Sequence, residues 1–163
     1  MKEKVKKEIE ELIKKLELNC SVEEFKDKVI WSSISYYQKL SEDFIREFKN
    51  KVSWINISIF QKLSEDFIRE FKDKVNWYYI SHYQKLSEDF IREFKDYVDW
   101  NIISYHQKLS KNFILEFKDK VSWDKIEKSQ KIIKKDIEEY EKKLEKEKLN
   151  KTRVKNKFQL IRF

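Results

Sequence analysis

Residues 38–49 read QKLSEDFIREFK, and the identical string returns at 61–72 and at 84–95, so the chain repeats every 23 residues. Five tryptophans keep the same interval: Trp31, Trp54, Trp77, Trp100 and Trp123. So do Ile34, Ile57, Ile80, Ile103 and Ile126, and Gln38, Gln61, Gln84, Gln107 and Gln130. Complete units run 40–62, 63–85, 86–108 and 109–131, and a divergent one at 17–39 precedes them. A unit this small cannot enclose a core, so a fixed period of this length implies that neighbouring units stack.

The composition names the kind of unit. The 163 residues include no glycine and no proline, where an average chain would carry roughly 11 and 8. Tight hairpins need glycine or asparagine at positive φ, so a β-rich fold is excluded, whereas short helices joined by polar turns need neither residue. Charged residues make up 41% and aromatics 15%. Disordered chains share that charge but lack the aromatics. The chain reads as all-α and folded.

Each unit has two helix starts. Ser41, Ser64, Ser87 and Ser110 precede amphipathic runs, and serine there accepts from an orphan N–H. Ser53, Asn76, Asp99 and Ser122 stand before tryptophan and can do the same, while Ile30 is the exception. The expectation is a helix A of about 11 residues and a helix B of about 9. In helix A, Phe44, Ile45, Phe48 and Val52 form an inner stripe. Outside it, Glu42–Arg46 and Glu47–Lys51 are spaced as i,i+4 ion pairs. In helix B, Trp54, Ile57, Ser58 and Gln61 share one face. The recurring glutamine is expected to hydrogen-bond a neighbouring loop backbone. The fold expected is an α-solenoid of two-helix repeats over 17–131.

The ends look like caps. Residues 1–16 place Val5, Ile9, Leu12 and Leu16 on one helical stripe, and residues 132–163 begin with the stripe Ile133, Ile137, Tyr140 and Leu144. The last apolar residues, Phe158, Leu160, Ile161 and Phe163, are expected to fold back on the repeats.

Near-identical copies differ where helix B should face outward. Those positions read Ser32, Ser33, Tyr36, Tyr37; Ile55, Asn56, Ile59, Phe60; Tyr78, Tyr79, His82, Tyr83; and Asn101, Ile102, Tyr105, His106. The fifth set, Asp124, Lys125, Lys128 and Ser129, turns charged. Packing positions should recur as tryptophan and isoleucine do. A varying stripe of tyrosine, isoleucine and phenylalanine suits a protein interface, because such side chains bring large contact area at low entropic cost. The candidate partner-binding residues are therefore Tyr36, Tyr37, Ile55, Ile59, Phe60, Tyr78, Tyr79, His82, Tyr83, Ile102, Tyr105 and His106. The competing reading packs part of this stripe against the next unit.

Charge is uneven. The repeat body, 17–131, carries 20 basic and 20 acidic side chains, while 141–163 carries 9 and 3. Attraction for phosphate would thus reside in the tail, around Lys151, Arg153, Lys155, Lys157 and Arg162. Nucleic acid or a ribonucleoprotein is the alternative partner there. Base stacking on the tryptophans would be a further route, but they share the isoleucine face.

Nothing singles out a catalytic group. Cys20 is alone, which leaves no internal disulfide and no thiolate zinc site. His82 and His106 lie at different helical offsets without ligand-spaced neighbours, and a glycine-rich phosphate loop is impossible. The acids sit as ion-pair partners rather than as a site. The expectation is a non-enzymatic protein with no cofactor and no metal. No stretch approaches the roughly 20 apolar residues of a membrane span, and the first helix is charged. That reads as a soluble, cytoplasmic protein.

Spelled out, the unit is W-x-x-I-S-x-x-Q-x-L-S-E-D-F-I-x-x-F-K-x-x-V-x. It resembles the short Trp/Ile/Gln tandem repeats of bacteriophages, giant viruses and low-GC bacteria, whose functions are largely uncharacterised. The likeness covers 17–131. The first unit departs from it across 17–22, and the last replaces the acids by Lys111 and Asn112 and the arginine by Leu115. The resemblance carries no active site. It implies a small phage or mobile-element protein acting on a host protein, as an anti-CRISPR inhibitor of a defence nuclease does. Two alternatives stay open: a nucleic-acid binder working through its tail, and a structural protein that self-assembles end to end as a homo-oligomer.

Overall fold

A computed structural model describes the backbone of residues 1–160 and the side chains of residues 1–152. The described residues form helices and no strand. The chain divides into two compact units, Met1–Leu86 and Ser87 onward. The first holds α1 (Glu3–Lys15), α2 (Phe25–Lys28), α3 (Trp31–Tyr37), α4 (Glu42–Glu47), α5 (Trp54–Phe60), α6 (Glu65–Glu70) and α7 (Trp77–Tyr83). The second holds α8 (Glu88–Glu93), α9 (Trp100–His106), α10 (Lys111–Glu116), α11 (Trp123–Gln130) and α12 (Lys134–Leu160). Both are stacks of the two-helix repeat: α5 packs between α3 and α7, and α9 packs on α11.

The helices are shorter than their sequence period suggests, six residues for helix A and seven for the helix B of α3, α5, α7 and α9. Past helix A the chain turns instead of continuing. Lys51 and Val52 both donate their backbone N–H to the Phe48 carbonyl, at 2.8 and 3.1 Å. The Trp54 indole N–H takes the Lys49 carbonyl at 2.9 Å. This turn removes Lys51 from helical geometry, so the expected pair with Glu47 does not form and Lys51 reaches Asp27 instead, at 3.6 Å. Glu42–Arg46 does form, at 3.5 Å.

Side-chain caps begin both helices. Ser41, Ser64, Ser87 and Ser110 each accept the N–H of the phenylalanine three residues on. Ser53, Asn76 and Asp99 cap helix B in the same way, and Ile30 does not. Ser122 departs from expectation: its hydroxyl pairs with Asp124 Oδ1 at 2.5 Å and makes no cap. One cap the repeat pattern hides lies at Ser21 and Glu24, a reciprocal box in which Ser21 N–H donates to Glu24 and Glu24 N–H to Ser21.

The core is the recurring set. Phe44, Ile45 and Ile57 in one repeat are fully buried, as are Phe67, Ile68 and Ile80 in the next and Phe113, Ile114 and Ile126 later. Burying each such side chain contributes about 1.5–3 kcal/mol. Tryptophan does not share that depth: all five are only half-buried. Their rings lie against helix A phenylalanines, with Trp54 and Phe71 centroids 4.9 Å apart.

Polar atoms fasten one repeat to the next. Ser58 Oγ donates to the Trp54 carbonyl at 2.8 Å and accepts the Asn76 N–H at 2.9 Å. Gln61 Nε2 donates to the Ser35 and Gln38 carbonyls, and its Oε1 accepts the Leu40 N–H. Gln84 does the same one repeat later, and Gln130 repeats two of the three bonds in the second unit. These glutamines sew the extended exit of one helix B to the helix B that follows.

At the front, α1 packs on α4 and buries Val5, Ile9 and Leu12, while Leu16 is its half-buried C-cap. Glu8 accepts both the N–H and the hydroxyl of Ser41. Glu42 holds the Ser64 N–H likewise, so α1 stands where a preceding helix A would. At the back, α12 packs on α10 and buries Ile137. Ile133 falls before the helix and is 41% exposed, which removes it from the expected inner stripe. No helix of the described residues is long and apolar enough to cross a membrane.

Candidate functional site

A helix B has two flanks and an outer ridge. The first, second, fifth and sixth residues after tryptophan all face away from the inner stripe, and stacking on both sides of α5 limits how far each is exposed. In the first unit the ridge exposes Tyr36, Tyr37, Ile55, Phe60, Tyr78 and Tyr83, with Tyr37 the most open at 73%. In the second it exposes Tyr105 and His106. These residues stand where the sequence places them.

Four others do not. Ile59 and His82, at the fifth offset, and Tyr79 and Ile102, on the second-offset flank, are half-buried rather than exposed. Asn56 marks the same flank: its Nδ2 donates to the Ser32 carbonyl on α3 at 3.0 Å. Within the repeats, two exposed apolar residues lie outside the expected stripe, Ile30 and Tyr97. Both occupy a position where the other repeats carry a polar or charged residue, and that substitution is their signal in the sequence.

The ridge aromatics group in pairs. Tyr36 and Phe60, from consecutive repeats, have centroids 4.1 Å apart, and Tyr36 also meets Tyr37 at 4.4 Å. His82 and Tyr83 lie 4.1 Å apart, Tyr105 and His106 4.9 Å. Below them, between the exits of consecutive helices B, the surface is grooved. One groove of about 380 Å³ is lined by Ile59, Phe60, Leu63 and Tyr83 with Lys62 and Lys85. The second unit has its counterpart, about 490 Å³, lined by Tyr105, His106, Leu109 and Ile132 with Lys108.

The tryptophans offer little to a stacking ligand. Trp31, Trp54, Trp77 and Trp100 each commit the indole N–H to the carbonyl of Lys26, Lys49, Lys72 or Lys95. In the tail, α12 runs unbroken through Leu160, so the expected fold-back does not occur before that residue. Every residue from Glu145 to Thr152, Lys151 included, is exposed. The side chains of Arg153, Lys155, Lys157 and Phe158 lie outside the described residues, as do Ile161, Arg162 and Phe163 entirely.

Among the described residues no three His, Cys, Asp or Glu side chains are grouped to hold a metal ion. Compared with protein-family models, curated proteins and solved structures, the chain finds no match in any of the three.

Proposed function

We propose that this chain is a protein-binding helical-repeat module, and that the outer ridge of its helices B is the binding surface. What supports the reading is one contrast. Across near-identical repeats the buried isoleucine stays fixed at Ile34, Ile57, Ile80 and Ile103, while the exposed residue three positions on changes from Tyr37 to Phe60, Tyr83 and His106. Exposed apolar residues that vary inside a fixed frame are what a recognition surface requires. Blocking a partner sterically would need no catalytic group. The narrower reading, an anti-CRISPR-like inhibitor of a host defence protein, rests on the repeat resemblance alone.

The test is affinity capture from a bacterial lysate, split into nuclease-treated and untreated halves. The proposal expects one protein retained in both halves and lost when Tyr37, Phe60 and Tyr83 are all replaced by alanine. Retention only in the untreated half would move the function to nucleic acid. The basic composition of 141–163 supports that second reading, which predicts steep salt dependence and loss on deleting 151–163.

A further inference from the structure

Charge is sorted between the two helices of the repeat. The helix A side carries acids and bases together, and several of them pair. Arg46 meets Glu70 at 2.7 Å, Arg92 meets Glu116 at 2.8 Å, and Lys120 meets Asp96 at 3.3 Å. Helix B and its exit are different. The stretches 31–41, 54–64, 77–87 and 100–110 contain no acidic residue, and each carries one lysine: Lys39, Lys62, Lys85 and Lys108. All four are exposed, and none has an ion-pair partner among the described residues. Lys39 shares its surroundings with Glu8 and Glu11, but no acid lines the surface around Lys62, Lys85 or Lys108, and such cations select an anionic ligand.

The lysines do not stand on open ground. Lys62 and Lys85 line the groove of Phe60, Leu63 and Tyr83, and Lys108 lines that of Tyr105 and Leu109. Each groove therefore offers apolar surface and positive charge together, at the same place in the repeat. A ligand that uses both must carry large apolar groups and negative charge within a few ångströms of each other.

An acidic peptide fits better than a nucleic acid, for two reasons. The ridge rings already cover one another, as Tyr36 does with Phe60 and His82 with Tyr83. A ring packed against its neighbour has less open face to offer a base, whereas side chains can still pack around it. Charge density agrees. Packed helices advance roughly 8–10 Å per repeat, which an extended chain spans in about three residues. One lysine per repeat then matches one carboxylate in about three residues, whereas a polynucleotide would bring more phosphates than the lysines can meet.

We infer that each groove takes an extended acidic segment of a partner protein, in which carboxylates alternate with leucine, phenylalanine or tyrosine. The apolar side chains enter the groove and the carboxylates pair with Lys62 and Lys85, or with Lys108. This rests on the protein-binding reading and narrows it to a chemical class.

The experiment is a selection from a random library of peptides of about twelve residues, long enough to cross a groove when extended, with the whole chain as bait. Enriched peptides are then titrated by fluorescence anisotropy. The expected result is enrichment of Asp and Glu interleaved with Leu, Phe and Tyr. Affinity should fall about tenfold in Lys62→Glu/Lys85→Glu or in Lys108→Glu, and fall with added salt. These side chains are exposed, so circular dichroism should not change. Enrichment of neutral or basic peptides, or none above the input, overturns the inference. If Phe60→Ala/Tyr83→Ala and Tyr105→Ala abolish binding but the lysine reversals do not, the acidic class fails and the protein-binding ridge stands. If none of these substitutions matters, both fall. Displacement of the peptide by oligothymidylate at equal charge assigns the groove to nucleic acid instead.

Discussion

Gln61 Nε2 donates to the carbonyl oxygen of Gln38 at 2.8 Å, so one repeat's glutamine closes the chain exit of the repeat before it. Gln61 also bonds the Ser35 carbonyl and the Leu40 N–H, so it serves three buried backbone groups at once. Gln61→Leu strands all three. Each buried group left unpaired costs about 1–3 kcal/mol, so urea unfolding should show a loss on the order of 3 kcal/mol.

Gln38 supplies the contrast. It occupies the same register one repeat earlier, but its Oε1 is buried with no hydrogen-bond partner among the described residues. Gln38→Leu removes that unpaired acceptor and fills the space with carbon. Unfolding free energy should stay within about 0.5 kcal/mol of the parent, or rise. A loss as large as that of Gln61→Leu would show that Gln38 is held in the same way.

Tyr79 and Tyr83 sit one helical turn apart on α7, and the structure separates them. Tyr79 is half-buried on the flank, Tyr83 is 53% exposed on the ridge. Tyr79→Ala should destabilise by about 1–2 kcal/mol through lost packing. Tyr83→Ala should fall within about 0.5 kcal/mol of the parent. Thermal melts of the two variants read the difference directly, and only Tyr83→Ala isolates a binding defect.

Acid should weaken the fold from its capped ends. The Ser21 backbone N–H, and then its hydroxyl, hold the Glu24 carboxyl below its ordinary pKa. The hydrogen bond from Lys2 does the same for Asp43, and that from the Ser122 hydroxyl for Asp124. A folded-state pKa below the unfolded one contributes stability that is present above the unfolded value and lost as pH falls through the folded one. Stability should therefore drop as pH is lowered below the ordinary carboxylate range. Carboxylate chemical shifts followed against pH by NMR should show Asp43 returning toward its ordinary value in Lys2→Ala.

Legibility tracked distance along the chain. The caps at Ser41 and Ser64 bond three residues ahead, so residue type and local pattern suffice to place them. Gln61 bonds backbone groups 21 to 26 residues back. Its recurrence announced a hydrogen bond to a neighbouring backbone, but not which three atoms it serves. The Ser58 hydroxyl, which bonds Trp54 in its own helix and Asn76 18 residues on, gave no separate sign in the sequence. The helix lengths misled because Phe48 and Val52 continue the apolar pattern of helix A after its backbone has turned.

What the sequence by itself determined is the repeat, the helical class, the caps and the identity of the inner face, all carried by period and by bonds within a turn or two. Only the tertiary structure decided how deep each outward residue sits. Helical offset fixes the direction of a side chain, but the neighbouring helix B fixes how much water reaches it. That is why Tyr83 stands open while Tyr79 and His82 are half-covered. It also decided that Lys62 and Lys85 would share a groove with Phe60, because charges 23 residues apart meet only when the repeats stack.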